Sequence, residues 1–364
     1  MTDPAVLAAA RQFGPADGEL WVQPCGSGNV NETYVVRSAA APFILQRLNT
    51  RVFPAPRLIM HNLKVLTAHV ARRQVELQPP PGRRWEIPRI IPTCGGEDFW
   101  IDGHGSFWRA LTCITGAQTA DAIGNESHAW EVGYALGRFH RLVSDLPPHS
   151  LADTLPDFHV TPVYLRAYEA ILEQQTLPDE PEVVFARAFI SRRRTGVAVL
   201  EEARRAGILT LRTIHGDPKV NNVLLAEATG QAVGLIDLDT VKPGLVHYDL
   251  GDCLRSGCNP QGEETTDWQQ VHFHLPWCRA ILAGYFSQAQ DFLSGADYDY
   301  LFEGIRLIAF ELGLRFFTDY LAGNVYFRVR EPAHNLRRAL VQFKLTESIE
   351  AQEADIRRLL QEWR

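Results

Sequence analysis

Three early segments carry apolar and polar positions in a strand-like pattern: residues 20–25 (LWVQPC), 34–38 (YVVRS) and 43–48 (FILQRL). Short runs of this kind, bounded by turn residues, predict strands. Between the first two lies GSGNVNET, residues 26–33, a glycine-bearing loop whose tip can approach a ligand closely. Residues 1–19 read as a helix followed by a loop. Pro54 and Pro56 then precede a helix in which Leu58, Ile59, Leu63, Leu66 and Val70 follow the helical period. Further strand segments are predicted around residues 85–91 and 107–114, the first after the polar, proline-rich loop QPPPGRR.

Ile114, Thr115 and Gly116 mark a change of period. Beyond them, Ala129, Val132, Leu136, Phe139 and Leu142 fall on one side of a helix over residues 127–146. Residues 160–208 read as more helix. A strand-loop-strand module follows at 213–240, and 267–294, 298–322 and 333–362 are long helical patterns. The expected architecture is α+β. It has a small sheet-rich N-terminal lobe, residues 1–115, and a larger, mainly helical lobe, residues 116–364.

Composition narrows the class of function. The chain has 364 residues, 46% of them hydrophobic and 22% charged, as in an ordinary globular enzyme with a large core. A net charge of −7 argues against nucleic acid as the main partner. No apolar run reaches the ~18 residues of a membrane span. The segment MTDPAVLAAARQF has an early acid and no long apolar core, so no signal peptide is expected and a cytoplasmic location is. The six cysteines are scattered without a CxxC pair, which predicts free thiols rather than a disulfide scaffold.

The most specific signal is TIHGDPKVNNVLLAEATGQAVGLIDLD, residues 213–239. Asp217 follows His215 and Gly216, Asn222 lies five residues after it, and Asp237 ends the apolar run AVGLI. Phosphoryl transfer from a nucleotide needs this inventory. One carboxylate orients and deprotonates the attacking hydroxyl, and an Asn and another carboxylate hold magnesium against the phosphates. A loop carrying Asp217 and Asn222, then two short strands with a turn near Gly230, would return Asp237 beside the first loop. Asp217 is the predicted catalytic group, and Asn222 and Asp237 the predicted magnesium ligands. Asp239, two residues on, is a candidate outer or second-metal ligand, and His215 is expected to tie the loop by hydrogen bonds.

Four segments carry a resemblance to the aminoglycoside-phosphotransferase and choline-kinase superfamily, and within it to N-acetylhexosamine 1-kinases. They are FILQRLNTRVF (43–53), HGDPKVNNVLL (215–225), GLIDLDTVKPGLVHYDLGD (234–252) and ELGLRFFTDYLAGNVYF (311–327). The resemblance implies a bilobal protein-kinase-like fold, use of ATP and Mg2+, and a small sugar-like acceptor. It makes Gly26, Gly28, Asn31 and Thr33 the phosphate-covering loop, and Thr112 and Ile114 part of the adenine edge. It points to Arg47 as the cation gripping the phosphates where protein kinases have lysine, with Gln46 as the alternative if the strand register is shifted. The usual partner of that cation is a helix glutamate, yet no Asp or Glu occurs between Glu32 and Glu76. That helix offers His61 and Asn62 instead.

For the acceptor, Arg255, Arg315, Asp319 and Tyr326 are polar groups within or beside apolar helical segments. Glu311, Arg315 and Asp319 share a helix face at i, i+4 and i+8, which allows either a salt-bridge chain or a working arginine. By resemblance, Arg315 and Tyr326 would meet the sugar and Asp319 would orient Arg315. The competing readings are a kinase of another hydroxylated metabolite, such as an aminoglycoside or amino alcohol, and a nucleotide-binding regulator without catalysis.

Overall fold

The computed structural model describes residues 3–14, 18–26, 30–174 and 178–364. Helix α1 (Pro4–Phe13) is capped by the Asp3 carboxylate, which accepts from the Ala5 N–H. A six-stranded sheet follows, built from β1 (Trp21–Pro24), β2 (Glu32–Arg37), β3 (Phe43–Leu48), β4 (Ile90–Ile91), β5 (Trp100–Ile101) and β6 (Phe107–Thr112). Its order is β1-β2-β3-β6-β4, with β5 also paired to β6, and all pairs are antiparallel. Helix α2 (Pro56–Glu76) lies between β3 and β4 in sequence.

Strand alternation decides which side chains face the rest of the protein. Phe43, Leu45, Trp108 and Ala110 pack with Val6, Ala9, Ala10 and Phe13 of α1. On the opposite face, Leu48, Phe107 and Leu111 join Ile59, Leu63 and Leu66 of α2 in the main core. The register pairs Gln46 with Arg109 and Arg47 with Trp108, so Gln46 and Arg109 share the inner face and Arg47 belongs to the α1 face.

The predicted strand over 85–91 shrinks to Ile90–Ile91. The residues before it are committed elsewhere: Glu86 N–H donates to Val233 O at 2.7 Å, and Arg84 Nη2 donates to Thr115 O at 2.6 Å. This segment therefore ties the sheet to the helical part. Asn62 of α2 makes a second tie. Its amide donates to Ala152 O and Val241 O at 2.8 and 2.9 Å, and its oxygen accepts from Ala152 N at 2.8 Å.

After Thr112 the chain enters β7 (Ala117–Gln118), which pairs with β9 (Val223–Ala226) after β8 (Arg212–Ile214) has intervened in sequence. Strand β9 in turn pairs with β10 (Ala232–Leu235), and β8 with β11 (Lys242–Gly244). Helices α3 (Glu126–Val143), α4 (Thr161–Gln174), α5 (Pro181–Arg193), α6 (Val199–Arg205), α7 (Val246–Gly257), α8 (Leu275–Ala289), α9 (Gly295–Leu321), α10 (His334–Ala351) and α11 (Glu353–Gln361) make up the rest. The pattern over 333–362 is thus two helices, broken at Gln352. Helices α3 and α8 cross closely because Gly284 has no side chain: a Cβ there would lie 2.0 Å from Trp130 O. The six cysteines are all free. Among the described residues, no helix is long and apolar enough to cross a membrane.

Candidate active site

The loop after β8 is fixed by one buried acid. Asp249, on α7 and fully buried, accepts from the His215 N–H at 2.6 Å and the Gly216 N–H at 2.8 Å. His140 of α3 holds the same carboxylate at 2.8 Å through Nε2. Burial opposes its charge, yet His140, His215 and the loop amides bring the Asp249 carboxyl below its ordinary range. Gly216 can take this turn because it has no Cβ: its φ is +88°, and a Cβ would lie 2.6 Å from Thr240 O. His215 is neutral by geometry. Its Nε2 faces Ile236 O at 3.0 Å and its Nδ1 accepts from the Asp217 N–H at 3.3 Å, while burial lowers its pKa.

The loop presents Asp217 with a fixed carboxylate. Lys219 Nζ lies 2.7 Å from Asp217 Oδ2, and Asn222 Nδ2 donates to Asp217 O at 2.7 Å and to Oδ2 at 3.2 Å. Both contacts fall on Oδ2. Burial works against the lysine charge, but Asp217, Asp237 and Asp252 around it raise its pKa above the ordinary range. Lys219 was not singled out from the sequence; a cation two residues after Asp217 in HGDPK was the available signal.

Asp237 stands across from this loop in a left-handed conformation, φ 62° and ψ 57°. Such a backbone is uncommon for a residue with a side chain and marks a position held by its surroundings. Its carboxylate takes no hydrogen bond from any described residue. Its side chain is exposed to solvent, with Asp217, Asp239, Lys219 and Arg109 as its charged neighbours. Desolvation, Asp239 and Asp217 push its pKa up to about 7, against the pull of Lys219 and Arg109. An amide oxygen on Asn222, whose hydrogens are spent on Asp217, and an unpaired Asp237 carboxylate are the hard oxygen ligands that suit magnesium. Among the described residues no group of three or more His, Cys, Asp or Glu side chains forms a metal cage.

Residues 21–285 match the model of the phosphotransferase enzyme family that includes the aminoglycoside phosphotransferases. The chain belongs to that family. It is a phosphotransferase, and members of the family act on hydroxyl groups of small molecules. Solved structures share the fold along the whole chain. An aminoglycoside phosphotransferase from Alicyclobacillus acidocaldarius is 15% identical with a TM-score of 0.64, covering 100% of this chain and 97% of its own. A microcompartment-associated aminopropanol kinase is 15% identical with a TM-score of 0.60, covering 97% and 98%. A spectinomycin phosphotransferase in complex with ADP and spectinomycin is 14% identical with a TM-score of 0.56, covering 96% and 97%.

On the sheet side of this phosphotransferase, the structure corrects the assignment of Arg47. It sits on the α1 face, half-exposed, paired with Glu32 and 5.6 Å from the centre of the Trp108 ring. Gln46 takes the inner position: its Nε2 donates to Thr33 Oγ1 at 3.1 Å. Gln46 Oε1 accepts from Arg109 Nη2 at 2.7 Å, and the same nitrogen donates to Asp239 Oδ1 at 2.5 Å. Asn31 donates to Asp239 Oδ2 at 2.8 Å and accepts from the Asn49 N–H at 3.0 Å. Asn31 and Thr33 are therefore joined to this network. Gly26 has φ +78°, a conformation open to glycine; Gly28 lies outside the described residues. Thr112 is engaged by Arg89, whose N–H donates to Thr112 Oγ1 at 3.0 Å. The backbone of Cys113 and Ile114 has no partner among the described residues.

On the acceptor side, Glu311, Arg315 and Asp319 do not form the chain of ion pairs that their spacing allows. Glu311 pairs with His159 Nδ1 at 3.0 Å and accepts from Thr161 Oγ1 at 2.8 Å. Asp319 accepts from the N–H groups of Val325, Tyr326 and Phe327 at 2.9, 2.8 and 2.9 Å and from Asn335. It shapes the loop after α9 and does not orient Arg315. Arg315 has no carboxylate within ion-pair distance among the described residues. It lies among four rings, 5.1 Å from Phe158, 5.0 Å from Tyr164, 5.9 Å from Tyr326 and 5.4 Å from Phe327. Arg255 is buried and tied to Asp252 at 2.7 Å and Glu263 at 3.3 Å.

Proposed function

We propose that this phosphotransferase is an ATP- and magnesium-dependent kinase that phosphorylates the anomeric hydroxyl of an N-acetylhexosamine-like sugar. Arg315 carries the acceptor class. Aromatic faces surround its charge, and no acid among the described residues lies within ion-pair distance. Burial opposes that charge, while Tyr164, Glu311, Tyr326 and Asp217 raise its pKa, so the guanidinium stays charged. A cationic acceptor, such as an amino alcohol, would meet this guanidinium, which has no direct ion pair among the described residues, and be repelled. A neutral acceptor with a carbonyl to accept from Arg315 and apolar faces to lie on Tyr326 or Phe327 fits better.

The chemistry follows from the loop. Asp217 Oδ1 is left for the acceptor hydroxyl while Lys219 and Asn222 occupy Oδ2, so the carboxylate cannot rotate away. Asp217 orients the hydroxyl toward the donor phosphate and takes its proton late. The Lys219 charge stabilises the transferring group. Asn222 Oδ1 and Asp237 would hold magnesium, which supplies neutralisation of the phosphate charge when bound. The hairpin with Gly26, Asn31 and Thr33 would cover the phosphates, and the free peptide groups of Cys113 and Ile114 would meet the nucleotide base beside Thr112. The test is a phosphorus NMR screen of sugars, N-acyl sugars and amino alcohols with ATP and magnesium. A sugar 1-phosphate signal is expected; turnover confined to amino alcohols would overturn the acceptor reading.

A further inference from the structure

Arg109 is 1% exposed, and its guanidinium is only partly satisfied. Nε and Nη2 donate to Gln46 Oε1 at 3.0 and 2.7 Å, and Nη2 also to Asp239 at 2.5 Å. Nη1 is buried without a partner. A buried donor of a charged group is rarely left unused. Its place in the fold gives the reason. On the inner face of β3 and β6 the side chains are Ile44, Gln46, Leu48, Phe107, Arg109 and Leu111, so Arg109 is the cation of that face. The β3 position itself is an uncharged glutamine, and Arg47 is turned outward to Glu32. Asn62 of helix α2 is spent on Ala152 and Val241, and the helix offers no acid before its last residue, Glu76, which pairs with Arg73. Asp239 is the anchoring carboxylate instead. It stands two residues from Asp237.

We infer that Arg109, on β6 rather than β3, is the cation that grips the donor phosphates, presenting Nη1 to them while Asp239 anchors the guanidinium. The arginine has moved one strand across the sheet, and its acid has moved from helix α2 to the loop after β10. Through Asn31, the same acid also holds the hairpin that would cover the phosphates. A planar guanidinium suits this double duty because its nitrogens point in fixed, separate directions. This inference rests on the nucleotide reading above.

Calorimetric titration of the full chain with adenosine, ADP and ATP, magnesium present, tests it. Wild type, Arg109→Gln, Arg109→Lys and Arg47→Ala are compared. Arg109→Gln is expected to weaken ADP and ATP binding by roughly 10- to 100-fold and to leave adenosine binding unchanged. Arg109→Lys, which keeps the charge, recovers part of the loss, and Arg47→Ala matches wild type. A role confined to bracing the fold would lower stability without changing the ratio of ADP to adenosine affinity. An unchanged ratio in Arg109→Gln overturns the inference. If circular dichroism shows that this variant is unfolded, the ratio in Arg109→Lys decides: a fall supports the inference and equality overturns it. A wild type that binds ADP no better than adenosine overturns the nucleotide reading itself, a separate failure.

Discussion

Lys219 Nζ sits 2.7 Å from Asp217 Oδ2, so the proposed base and a permanent cation act as one unit. Replacing Lys219 by Met leaves Asn222 as the one remaining hold on Asp217 Oδ2 among the described residues and removes charge from the path of the phosphoryl group. Turnover is expected to fall by about 100-fold with nearly unchanged nucleotide affinity. Steady-state kinetics on the variant check this; loss confined to KM would mean that Lys219 serves binding instead.

Arg315 among its four rings predicts a separation of the two substrates. Arg315→Met keeps the apolar contacts and removes the charge. The acceptor KM is expected to rise by about 10-fold or more, while the nucleotide KM stays within about twofold. Equal effects on both would place Arg315 in the stability of the helical lobe.

His159 predicts a pH dependence. Its Nδ1 faces the Glu311 carboxylate at 3.0 Å and its Nε2 faces Gly216 O at 2.8 Å, so only the imidazolium can donate to both. Burial opposes that charge, but Glu311 raises the pKa above the ordinary imidazole value. The contribution to stability is therefore full below about pH 6.5 and is lost as pH rises through the native value. Glu311→Gln should cost about 3 kcal/mol near pH 6. The gap from wild type should narrow at alkaline pH. Denaturant titrations across pH measure it, and a gap that widens with pH would contradict the assigned charge.

Gly216→Ala tests the backbone of the loop. The φ of +88° and the 2.6 Å approach to Thr240 O leave no room for the methyl group. A loss of about 2 kcal/mol or more is expected, with reduced turnover because Asp217 follows directly. Thermal melts would show it; a wild-type melting temperature would mean that the turn is adaptable.

The chain's local signals were readable and its cross-strand choices were not. Asp217, Asn222 and Asp237 stand out because HGDPKVNN and LIDLD place them at fixed distances along one short module. The six-residue runs at β2, β3 and β6 announced the sheet for the same reason. Arg109 gave no such signal: it is one arginine in FWRALT, and its role depends on the pairing of residue 46 with residue 109. The face of Arg47 was decided by Trp108 and α1, which lie far away in sequence. On α9, Glu311 and Asp319 had the spacing to meet Arg315, but His159 and the amides of 325–327 took them first. Helical spacing shows which groups can meet; competition from other elements decides which do.

Transfer of phosphate by Asp217→Asn is the most direct measurement. The amide keeps the shape of the side chain and cannot take the hydroxyl proton. The account predicts a fall in kcat of about 1,000-fold or more, with nucleotide affinity nearly unchanged. Turnover at the wild-type rate would contradict the assignment of Asp217 and, with it, the proposed chemistry of the site.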